Sequence, residues 1–72
     1  MRELTPVEMS SLRESLIMET TGLIGLKQME PLISDKELKV AVEAGIQAGE
    51  GRIWAMQQFI QDNEIMSLGE VQ

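Results

Sequence analysis

Three carboxylates have the types and spacing that could do chemistry. Glu19 interrupts an otherwise apolar series of Met9, Leu12, Leu16, Leu23 and Leu26, where an ionised side chain is costly to bury unless it is paired, protonated or bound to a cation. Glu43 and Glu50 share a stripe with Ile46, Ile53 and Ile60 by heptad-like steps. With a turn centred near residues 32 and 33, antiparallel helices would set Glu19 level with Ile46, and Glu43 and Glu50 each about one turn away, roughly 5 to 6 Å along the axis. Carboxylates clustered inside a four-helix bundle are the material of hard-cation and di-iron sites, which add a Glu-x-x-His motif. That motif fails here. Glu43-Ala44-Gly45-Ile46 has Ile where His would stand, and Gln47-Ala48-Gly49-Glu50 offers only a weak oxygen donor. The competing reading places these carboxylates at the stripe edge, solvated or paired with Arg13, Lys39 or Arg52, and the spacing favours it. We therefore expect no cofactor and no metal, with Glu19, Glu43 and Glu50 as the residues a cation would use.

Other chemistries lack their parts. The chain has no Cys and no His, so disulfides, thiolate zinc sites and the commonest general base are missing. Its six methionines, Met1, Met9, Met18, Met29, Met56 and Met66, show no repeated Met-x-x-Met spacing and suit core filling better than soft-metal binding. No Gly-rich phosphate loop, nucleophile with its base, or basic patch with aromatics is present. The expectation is a protein that is not an enzyme.

Charge narrows the partners. A net charge of −6 and a pI near 4.4 would repel phosphate backbones and anionic lipid, because nucleic-acid affinity comes largely from cations that displace counterions. No nucleic-acid or membrane partner is expected. No apolar run approaches the roughly 20 residues needed to cross a bilayer, and Met-Arg-Glu-Leu-Thr-Pro lacks a signal-peptide core. The expected location is cytoplasmic.

Two capping signals set the elements that must position these residues. Thr5-Pro6-Val7-Glu8 reads as N-cap, proline at N1 and capping-box Glu at N3. The first helix should run over about 6–30, ended by Pro31. Ser34-Asp35-Lys36-Glu37 repeats the signal, with Ser34 as cap, and opens a second helix over about 35–62 whose stripe is Leu38, Val42, Ile46, Ile53, Met56 and Ile60. So short a link dictates an antiparallel hairpin. Residues 1–62 form the hairpin domain, and 63–72, beginning at the polar Asn63, read as a frayed or docking tail.

Ile17, Ile24, Val40, Trp54 and Phe59 widen the stripes beyond a two-helix seam. Seventy-two residues offer a marginal core, and without disulfides or metal the remaining staple is association. The expected fold class is all-α, an antiparallel two-helix hairpin that dimerises into a four-helix bundle. The expected interface is Leu16, Leu23, Gly45, Gly49, Ile53, Trp54 and Met56. Trp54 is the anchor there, against the plainer reading of a rim or intrachain residue. Gly22, Gly25, Gly45, Gly49 and Gly51 fall inside the helices, each costing about 0.8 to 1 kcal/mol relative to Ala. Gly45 and Gly49, four apart on one face, would admit a close neighbour.

The leading Leu4-Thr5-Pro6 cap, the inward Glu19, the turn Ile33-Ser34-Asp35-Lys36-Glu37-Leu38-Lys39 and the second long helix together resemble the spore coat protein F (coat F) family, over about residues 4–62. The resemblance implies a ferritin-like half bundle that dimerises or duplicates, with a structural role in the spore coat or a related sporulation setting, among other spore or cytoplasmic proteins. Members of that family often have His and aromatic residues in the second helix, where this chain has Gly49, Glu50 and Gly51, so assembly and not metal or redox activity is what the resemblance transfers. Two other functions compete: a degenerate carboxylate metal-binding protein, and an acidic adaptor or inhibitor that occupies a basic site on another protein.

Overall fold

The computed structural model describes residues 3–71, with side chains described through Ile65. Two α-helices, α1 (Pro6–Met29) and α2 (Lys36–Val71), are joined by a single 3-10 turn (Glu30–Leu32) and three further residues, and they pack against each other as a hairpin. The 36 residues of α2 account for about 54 Å at 1.5 Å each, close to the molecule's 56 Å long axis.

Helix α1 starts as its sequence dictates. Thr5, extended at φ −69° and ψ 160°, accepts from the Glu8 N–H at 3.2 Å, while Glu8 Oε1 accepts from the Thr5 N–H at 3.0 Å. Two threonines are tolerated mid-helix because Thr20 and Thr21 return their hydroxyls to the Leu16 and Ile17 carbonyls at 2.7 and 2.9 Å. The helix ends before Pro31, although Glu30 keeps a helical φ of −51° and ψ of −48°. The missing proline N–H, not a displaced preceding residue, therefore converts the last turn to 3-10 geometry.

The start of α2 differs from expectation. Asp35, not Ser34, caps it: Asp35 Oδ1 accepts from the Leu38 N–H at 2.8 Å, and its carbonyl takes the Lys39 N–H at 2.9 Å. A carboxylate satisfies the third N–H of the helix and places negative charge at the positive end of the dipole, which a serine one residue earlier cannot do.

Nor does α2 stop at residue 62. It continues through Val71, so the tail expected over 63–72 is helical for nearly all its length; the side chains beyond Ile65, and Gln72, lie outside the described residues. Asp62 and Asn63 lower helix propensity by only tenths of a kcal/mol, and Asn63 has a tertiary reason to stay helical.

The seam follows the spacing. On α1 the half-buried positions step by threes and fours through Met9, Leu12, Leu16, Glu19, Leu23 and Leu26, and on α2 through Val42, Ile46, Gly49, Ile53, Met56, Ile60 and Asn63. Leu38 is the exception. It remains 53% exposed because only the connecting turn lies opposite the first turn of α2. The core is thin: among the described apolar side chains only Val42, at 9%, and Ile60, at 8%, are near full burial.

Candidate functional site

The structure separates the three candidate carboxylates. Glu19 sits in the seam as its spacing requires, but it lies level with Arg52 and not with Ile46. The pairs Glu19 with Arg52 and Leu26 with Gly45 both centre the hairpin between residues 35 and 36, later than the expected 32 and 33. The 3-10 turn and the extended residues after it lengthen the link and shift the register.

Arg52 reaches over α1 to donate from Nε at 3.2 Å and from Nη2 at 3.1 Å, both to Glu19 Oε2. Arg52 is thus the ion-pair partner of Glu19 at this half-buried position. The other two carboxylates fall on the opposite side of the seam. Glu43 and Glu50 line a shallow surface groove with Lys27, Glu30, Ile46 and Gln47, where Lys27 Nζ stands 3.9 Å from Glu50 Oε2.

Two more pairs close the ends of the hairpin, Lys39 with Glu30 at 3.8 Å near the turn and Arg13 with Glu64 at the open end. All four pairs are substantially solvated, so each contributes about 0 to 1 kcal/mol. Among the described residues no group of three or more His, Cys, Asp or Glu side chains converges as a cation site would require.

The expected interface residues divide. Leu16, Leu23, Ile53 and Met56 are half-buried in the seam of their own chain. Gly49 is buried beneath the Leu23 Cδ1 methyl, and the Leu26 Cδ1 methyl lies over Gly45. The close neighbour these glycines admit is therefore α1 of the same chain. A Cβ on either would meet that methyl at 3.5 or 3.9 Å, an ordinary contact, so alanine would also fit. Trp54 alone of the seven points away, 64% exposed.

Trp54 is one of several large apolar side chains left exposed on both helices. Ile17 and Met18 on α1 and Val40, Trp54 and Ile65 on α2 are each more than 60% exposed. A largely apolar depression, lined by Leu4, Val7, Leu12 and Phe59 with Glu8, Ser11 and Ser15, opens at the far end from the turn. On α2 the stripe of Val40, Ala44, Gln47, Gly51, Trp54, Gln58 and Gln61 holds no charged residue, while the exposed Glu43, Glu50 and Arg52 flank it. For a chain of 8.0 kDa a compact monomer exposes about 4,450 Å², whereas this hairpin exposes 5481 Å². The excess of about 1,000 Å² is comparable with the ~800 Å² that each partner hides in a standard protein interface.

One structural residue was missed by sequence reasoning. Asn63, read as a stop signal, is the most buried side chain described, at 1% exposure. Its Oδ1 accepts from the Leu4 N–H at 2.9 Å and its Nδ2 donates to the Phe59 carbonyl at 3.0 Å. The signal was present: residue 63 continues the three-and-four steps of Val42, Ile46, Gly49, Ile53, Met56 and Ile60. A polar side chain on that seam acts as a register device, as a buried Asn does in a coiled coil.

The chain matches no protein-family model, no curated protein and no solved structure. Among the described residues no helix is long and apolar enough to cross a membrane.

Proposed function

We propose that this protein is a non-enzymatic assembly element: a homodimer of hairpins, four helices in all, of the coat F type in layout. The observation that carries the proposal is the mismatch between a core of two nearly buried apolar side chains, Val42 and Ile60, and a surface on which Val7, Ile17, Met18, Val40, Trp54 and Ile65 are all largely exposed. A hairpin with so little interior cannot offset the conformational entropy of 72 residues by itself. A second copy supplies the missing wall with the same patch used twice.

The spore-coat setting belongs to the same proposal and rests on the Leu4-Thr5-Pro6 cap, the seam position of Glu19 and the turn over Ile33–Lys39. The metal-binding alternative loses its support, since the Arg52 guanidinium occupies Glu19 and the groove holding Glu43 and Glu50 contains Lys27. Light scattering at micromolar concentration tests the assembly. The expected mass is twice the 8.0 kDa of the chain; a solitary subunit that melts cooperatively at that concentration overturns it.

A further inference from the structure

Resting on the reading above that the hairpin pairs with itself, we infer which face pairs and in what register: the outward stripe of α2 packs antiparallel on the same stripe of a second copy, with the two-fold axis between Gly51 and Trp54. The stripe repeats by sevens on one continuous helix, Val40, Gln47, Trp54 and Gln61 in one row and Ala44, Gly51, Gln58 and Ile65 in the other. In antiparallel coiled-coil packing each residue of one row meets a residue of the other row on the partner.

The centred register makes four complementary pairings at once. Val40 meets the partner's Ile65, joining two β-branched side chains at each end. Gln47 meets the partner's Gln58, an amide pair able to donate and accept in both directions. Ala44 meets the partner's Gln61. Trp54, the largest side chain, meets the partner's Gly51, where no side chain stands. A shift of seven residues either way breaks this match, putting Trp54 over Ala44 or over Gln58 and separating Val40 from Ile65.

Gly51 has room for this contact. A Cβ built on it has nothing within 4 Å, as is also true at Gly22 and Gly25, so the chain's own packing leaves open space near the middle of the 36-residue helix for the partner's indole. On the flank Glu64 would face the partner's Glu43, a like-charge pairing that Arg13, bound to Glu64 in its own chain, offsets in part. The four helices then run α1, α2, α2, α1 across the dimer, an arrangement that covers Val40, Trp54 and Ile65 and leaves Val7, Ile17 and Met18 of α1 outside the contact.

Since the chain has no cysteine, engineered thiols report this geometry without background. The test uses the full chain with Val40→Cys and Ile65→Cys together, and with each alone, under brief mild oxidation. The two positions lie about 38 Å apart along one helix, so no bridge can form within a subunit. The double variant is expected to become a covalent dimer with both thiols consumed, while either single variant keeps its free thiol and runs as a monomer on a non-reducing denaturing gel. A dimeric mass in light scattering without cross-linking of the double variant overturns this face while leaving the homodimer standing. Efficient linking of Val40→Cys alone means a parallel pairing and also overturns it. A monomeric mass removes both this inference and the reading beneath it.

Discussion

The Asn63 carboxamide takes the Leu4 N–H at 2.9 Å, joining backbone that precedes α1 to the side of α2 across 59 positions of sequence. Its other end is anchored on the Phe59 carbonyl one turn back, so the amide orientation is determined by two partners of opposite kind. This contact pins the open end of the hairpin, where there is no covalent link between the helices.

Asn63→Ala should lower the unfolding free energy by about 1 to 2 kcal/mol, because the part-buried Leu4 N–H loses its acceptor. Asn63→Asp should recover only part of this loss, since a carboxylate accepts from Leu4 but cannot donate to Phe59. Urea melts followed by circular dichroism measure both. Wild-type stability in the alanine variant would show that water replaces the contact at no cost.

The two residues before α2 should respond unequally. Asp35→Ala removes the side chain that holds the Leu38 N–H and should cost about 0.5 to 2 kcal/mol, whereas Ser34→Ala should fall within about 0.5 kcal/mol of wild type. Equal losses at the two positions would return the capping role to Ser34.

The Glu19 and Arg52 pair should contribute little to stability in its own right. Arg52 is more than half exposed and both its bonds go to a single carboxylate oxygen, so a double-mutant cycle should give a coupling below about 1 kcal/mol that shrinks with added salt. Glu19→Leu, which makes the α1 seam continuous, should raise the melting temperature. A fall would mean that the ion pair organises the seam beyond its own contact.

Trp54 is the sole tryptophan in a chain without tyrosine, so intrinsic fluorescence reports on one site. In an isolated hairpin its indole is 64% exposed; in the dimer we propose, the partner's Gly51 would shield it. Emission should therefore shift to the red on dilution, in step with the fall in mass. A water-exposed emission at every concentration up to the dimeric range would place Trp54 outside the contact.

Much of this protein follows from local chemistry. The Thr5 to Glu8 capping box, the break at Pro31 and the three-and-four spacing of the seam each depend on residues within a turn or two of one another, and the structure contains them where the sequence implies. The exposure of Ile17, Ile24, Val40, Trp54 and Phe59 follows from the same periodicity, because a helix has only one face to give to one neighbour.

The tertiary structure decided what depends on register. The length of the link set Glu19 against Arg52 and away from Glu43 and Glu50, and a slip of a few residues would have chosen other partners for the same charges. It also turned Asn63 from an apparent terminator into the buried clasp of the hairpin. The seam spacing marks residue 63, but whether a polar side chain there ends the helix or is retained depends on what lies opposite, here the Leu4 N–H from the other end of the chain, and neighbouring residues in sequence do not supply that partner.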